Sequence, residues 1–160
     1  MELISHLGFG KLRLENFISQ NSPVESLADW EFMDDYWIGE AFGFSEWLRL
    51  EVKPGETQSI SINLEDFDLD ELNKIFNTLK VPLKPGMTYE EIKKILGTPL
   101  NTQSFVANRR SYEFIVGNKD EYYVSCTVVD KVGFTYFVMM NHEKTIRELK
   151  SKHLTRPKLH

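Results

Sequence analysis

Cysteine is almost missing from this chain. Cys126 is the only one among 160 residues. One thiol builds neither an internal disulfide framework nor a multi-cysteine metal site. It falls inside a strand-like run, Tyr122 to Val129, where a buried, inert thiol is expected. Histidine is also scarce: His6, His142, His153 and His160 all lie near the chain ends. No Ser/His or Cys/His motif for nucleophilic catalysis emerges from that placement, although Cys126 and His142 could meet in space. His142-Glu143 does not open an HExxH zinc motif, because Ile146 stands where the second histidine belongs. No apolar stretch approaches the length of a membrane span. Met1 to His6 lacks the basic-then-apolar pattern of a secretory leader, so a cytoplasmic location is the default expectation.

Two further fragments offer little chemistry. Gly8-Phe9-Gly10 has no third glycine and no helical pattern behind it, so it is not a phosphate-binding loop. Glu65 to Glu71 is rich in acids but lacks the central glycine of a calcium loop; its acids suit a helix N-terminus better. Arg109-Arg110 reads as a solvated basic pair. No catalytic residue, cofactor-binding residue or metal ligand is assigned, and the chain reads as a non-enzyme.

Charge is distributed unevenly. The whole chain carries −5, yet Glu25 to Glu71 holds fourteen acids against two bases, a net of −12. His142 to His160 is basic, at +4. The central acidic field disfavours nucleic acid and favours a basic protein partner. Solubility alone also accounts for such a surplus of acids.

What the chain does contain is strong local structure. Lys84 to Pro99 encodes a short helix. Thr88 is an N-cap with Glu91 at the capping-box position, Met87 and Ile92 form a staple, and Ile92, Ile95 and Leu96 form one stripe. Gly97 supplies a left-handed terminator and Pro99 forbids continuation. Asp68 opens a second capped helix, with Glu71 closing the box and Phe67 and Leu72 as staple. Its expected buried stripe is Leu69, Leu72, Ile75, Phe76 and Leu79.

Strand signals flank these helices. Leu48 to Lys53 and Ser59 to Leu64 alternate, with Pro54 to Thr57 as a turn, predicting a hairpin. After the helices, Ser111 to Val116, Tyr122 to Val129 and Phe134 to Met140 predict a three-stranded meander, with turns at Gly117 to Asp120 and Asp130 to Gly133. In the last strand, Phe134, Tyr136, Val138 and Met140 are expected on one face, opposite Phe137 and Met139. Glu143 to Leu154 predicts a surface helix, and the last residues fray. Residues 1–28 are the least legible; Lys11 to Ile18 fits a short strand or helix.

These elements predict one α+β domain over 1–160: an antiparallel β-sheet of five or more strands with two short consecutive helices packed on one face. A β-rich half covers 1–66, an α-α-β-β-β module 67–141, and a basic tail 142–160. The run Gly86-Met87-Thr88-Tyr89-Glu90-Glu91-Ile92-Lys93-Lys94-Ile95-Leu96-Gly97-Thr98-Pro99 and the strands after it resemble the helix-plus-meander module of SmpA/OmlA (BamE-like) proteins, over residues 67–140. That resemblance implies a protein-binding scaffold used in envelope assembly. In layout the whole chain also resembles small bacterial immunity proteins of the pyocin or contact-dependent toxin type. This second resemblance implies an acidic cytoplasmic inhibitor without catalytic residues, and a toxin domain as partner.

The expected partner surface is residues 29–47. Trp30, Phe32, Tyr36, Trp37, Phe42, Phe44 and Trp47 alternate there with acids, on irregular strands around a turn near Gly39. Asp29, Trp30, Glu31, Asp34, Asp35, Tyr36, Trp37, Glu40 and Glu46 are the candidate contacts. Aromatic side chains anchor interfaces, and the charges around them steer a basic partner. The tryptophans suit either core or interface.

Overall fold

The computed structural model describes residues 2–10, 12, 31–33, 36–38, 42–47 and 56–155. In chain order the elements are α1 (His6–Gly10), β1 (Glu31–Met33), β2 (Tyr36–Ile38), β3 (Phe42–Trp47), β4 (Glu56–Asn63), a 3-10 turn (Leu64–Asp66), α2 (Leu69–Leu79), α3 (Tyr89–Leu96), β5 (Asn101–Val106), β6 (Arg109–Val116), β7 (Tyr122–Val129), β8 (Gly133–Met140) and α4 (Glu143–Thr155). The strands form one eight-stranded sheet, ordered β1-β2-β3-β4-β8-β7-β6-β5. Every neighbouring pair is antiparallel. This is the α+β architecture expected, and α2 and α3 pack on one face of the sheet.

The core follows from strand alternation. Ile60, Met139, Val124 and Phe114 align across β4, β8, β7 and β6 as one buried row. Ile62, Phe137, Cys126 and Tyr112 make the next. Onto these rows α2 lays Leu72, Ile75, Phe76 and Leu79, and α3 lays Ile92 and Leu96. The Phe76 ring meets Phe137 edge-on at 5.1 Å, and Tyr89 stacks on Tyr112 at 4.1 Å.

Both helices start as their sequences dictate. Asp68 and Thr88 each accept from the N3 backbone N–H, and Glu71 and Glu91 each accept from the N-cap N–H in return. The staple residues Phe67 and Met87 rest against the core. Leu69, placed in the buried stripe by its spacing, is instead exposed at the first helical position. Gly97 has φ of +89°, as its role as terminator requires, but its ψ of −163° lies outside the left-handed helical region. The chain therefore leaves α3 in an extended direction that only glycine adopts readily.

Three expectations about the strands need correction. Ser59 to Asn63 does not pair with Leu48 to Lys53. β4 lies between β3 and β8, with Ile60 opposite both Phe44 and Met139, so both of its edges are taken. Residues 48–53 themselves lie outside the described residues, as does Lys11 to Ile18 apart from Leu12. The meander has four strands rather than three, because β5 adds to the edge of β6. In β8, Thr127 opposes Tyr136 while Val128 opposes Phe134, so Thr135 is an extra, bulged residue. The bulge moves Phe134 into the core beside Phe137, whereas Tyr136 is 39% exposed. The last helix forms where expected, as α4, with one buried stripe. Ile146 and Leu149 are buried, and Lys150 Nζ reaches both carboxylate oxygens of Glu121 at 2.7 and 2.8 Å.

The first residues, illegible in sequence, are tied down. Ile4 N–H donates to Leu79 O, and the Tyr122 hydroxyl donates to Ile4 O at 2.6 Å. The His6 N–H donates to the Asp120 carboxylate, the His6 Nε2 lies 2.9 Å from Glu121 O, and Phe9 is fully buried against Tyr122.

Candidate functional site

Charge and aromatic pattern single out residues 29–47, and the described strands of that segment lie at one end of the sheet. β1, β2 and β3 are its first three strands in spatial order. Glu31 stands opposite Ile38, Tyr36 opposite Trp47, and Trp37 opposite Glu46. The register thus brings Glu31, Tyr36, Trp37 and Glu46 into one short antiparallel ribbon. Asp29, Trp30, Asp34, Asp35 and Glu40 lie outside the described residues. β1 is the terminal strand among the described residues, and edge strands present backbone groups as well as side chains to a partner.

A second polar centre lies at the other end, on the sheet face opposite the core rows. Alternate residues of the same strands build it: Asn101, Glu113, Ser125 and Val138 form one cross-strand row, and Gln103, Ser111, Thr127 and Tyr136 the next. Glu113 is only 7% exposed. Its Oε1 accepts from Asn101 Nδ2 at 2.6 Å and from Gln103 Nε2 at 2.8 Å. Its Oε2 accepts from the Tyr123 hydroxyl at 2.6 Å. Tyr123 reaches it diagonally, from the residue two before Glu113's partner Ser125. Beside them, the Ser111 and Thr127 hydroxyls lie 2.8 Å apart. Burial pushes the Tyr123 phenol well above its ordinary value, and the hydrogen bond to Glu113 and that residue's charge push it the same way. Tyr123 therefore keeps its proton and donates a fixed hydrogen bond to the carboxylate.

Sequence reading missed this centre. The available signal was one acid, Glu113, at a strand position between Tyr112 and Phe114, where an acid needs partners. Its partners Asn101 and Gln103 sit in β5, which carries no apolar alternation.

Cys126 lies in a core row between Phe137 and Tyr112, and burial pushes its thiol far above the usual range. His142 follows β8, with its Nδ1 2.8 Å from Thr145 Oγ1 at the start of α4. Of the acids between Glu65 and Glu71, Asp68 and Glu71 are engaged in the α2 capping box. Arg109 and Arg110 are exposed on β6. Among the described residues no group of three or more His, Cys, Asp or Glu side chains is arranged to hold a metal ion. Nor is any described helix long and apolar enough to cross a membrane.

No family model matches the chain, and neither does any curated protein or solved structure.

Proposed function

We propose that this protein is a non-enzymatic binding protein, a cytoplasmic immunity protein that neutralises a basic toxin domain by tight direct association. The observation that carries the reading is the acid-and-aromatic ribbon at the end of the sheet. The segment Glu25 to Glu71 that contains it carries a net charge of −12 in sequence, and its register pairs an aromatic with an acid, Trp37 with Glu46. Aromatic anchors supply contact energy, while the surrounding carboxylates accelerate encounter with a cationic surface.

Co-expression with the toxin-like product of an adjacent reading frame tests the reading. Growth protection and a one-to-one complex, with an association rate that falls as salt rises, are expected. Unrelieved toxicity together with no complex contradicts it.

A scaffold role in envelope assembly is the second reading. It is favoured by the order α2, α3 and then an antiparallel meander within residues 67–140. A leader encoded upstream of Met1 would support that alternative over immunity.

A further inference from the structure

Glu113 is a buried carboxylate whose partners are all neutral: two amides and one phenol. No Lys, Arg or His among the described residues pairs with it. Dipoles satisfy its lone pairs but leave its charge without a counterion, and a buried charge in that state is costly. Asn101 adds a second, independent deficit. Its Nδ2 donates to Glu113, yet its own Oδ1 is buried with no hydrogen-bond partner. A carboxylate and an orphaned amide oxygen on adjacent strands thus share one unmet need, for a cation carrying several N–H groups. A guanidinium answers that need: it is planar, permanently charged, and presents five donors in a fixed fork.

We infer that Glu113 and Asn101 form a subsite for an arginine side chain of the partner protein, an inference that rests on the basic-partner reading above. Entry is through Gln103. Gln103 is exposed, so its amide can leave Oε1 for water without stranding a buried group. The incoming guanidinium takes that place on Glu113 Oε1 and gives a second N–H to Asn101 Oδ1. Tyr123 stays on Oε2 and holds the carboxylate in orientation. The subsite belongs to β5 and β6, at the opposite end of the sheet from β1–β3.

The test titrates N-acetyl-L-arginine amide into the full chain at fixed ionic strength, reading the side-chain amide resonances of Asn101 and Gln103 by NMR. The matched citrulline amide, uncharged and nearly isosteric, and the matched lysine amide are the comparators. Saturable shifts at both residues are expected with the arginine probe, with affinity at least about tenfold weaker for either comparator and for Glu113→Gln. Gln103→Ala removes the competing amide at an exposed position and is expected to tighten binding. No saturable shift, equal binding of citrulline or lysine amide, or undiminished binding by Glu113→Gln overturns the inference. If Glu113→Gln does not fold, Gln103→Ala decides, and unchanged or weaker affinity there overturns it. The probe needs no toxin. A responsive subsite with no toxin neutralised counts against the proposed function alone, and a silent subsite with a neutralised toxin counts against the arginine subsite alone.

Discussion

The two faces of the sheet are made from alternate residues of the same strands, yet they solve opposite problems. On one face Ile60, Met139, Val124 and Phe114 are shut from water under α2 and α3, and their contribution is apolar burial. On the other, the adjacent residues Ser61, Val138, Ser125 and Glu113 stand in register, and Glu113 survives burial only because three donors converge on it. The first face depends on volume and shape, which many apolar residues supply. The second depends on particular atoms, and there the chain carries its local chemistry. Apolar packing and polar chemistry are thereby separated by a step of one residue along each strand.

The largest effect that sharpens this contrast is truncation at neighbouring positions of β8. Phe137→Ala, in the core row against Phe76, should cost about 3–5 kcal/mol. Val138→Ala, one residue on and half-buried on the polar face, should cost about 1 kcal/mol or less. Urea denaturation of both variants measures the difference, and equal losses would erase the distinction between faces.

Next in size is Gly133→Ala. Gly133 has φ of +94°, and a methyl there would overlap the Gly86 carbonyl. At this point the linker between α2 and α3 clamps onto β8: Gly86 N–H donates to Phe134 O, and Phe134 N–H donates to Met87 O. Strain and overlap together should cost about 3 kcal/mol, read from the denaturation midpoint. Gly97→Val should cost less, about 1–2 kcal/mol. Nothing lies within 4 Å of the added Cβ, so the penalty comes chiefly from its φ of +89°. A neutral effect would remove the account of how α3 ends.

The smallest effect separates the faces by pH. Tyr122 on the core side and Tyr123 on the polar side both have phenols raised from 10.0, chiefly by burial. The unfolded chain releases these protons near pH 10 while the folded one keeps them. Their stabilisation is therefore fully present below pH 10 and lost as pH rises above it. Tyr123→Phe should flatten the fall in denaturation midpoint between pH 9 and 11, and an unaltered fall would contradict the burial of that phenol.

Legibility followed how local each determinant is. The capping boxes at Asp68 and Thr88 are complete within four residues, so sequence announces them fully. β7 was bounded at Tyr122 and Val129 because alternation and turn residues both lie inside it. β4 illustrates the opposite case. Its own alternation is visible in sequence, but its partners Phe42–Trp47 and β8 are chosen by tertiary pairing. β5 has no apolar period; side chains of Asn101 and Gln103 bonded to Glu113 help hold it. The bulge at Thr135 reversed the face of Phe134 because one extra residue inverts a period of two. The acid-and-aromatic segment was conspicuous by composition, whereas the Glu113 centre rests on one acid whose partners are ten and twelve residues away.

The proposed binding function meets its most direct test in the rate at which the protein associates with a basic toxin domain that it protects against, at low and high salt, for the native chain and for Asp34→Lys, Asp35→Lys and Glu40→Lys combined. Charge-steered capture predicts an intact fold with association slowed by about tenfold or more at low salt, the gap closing as salt rises. An unchanged association rate and affinity at low salt would contradict it.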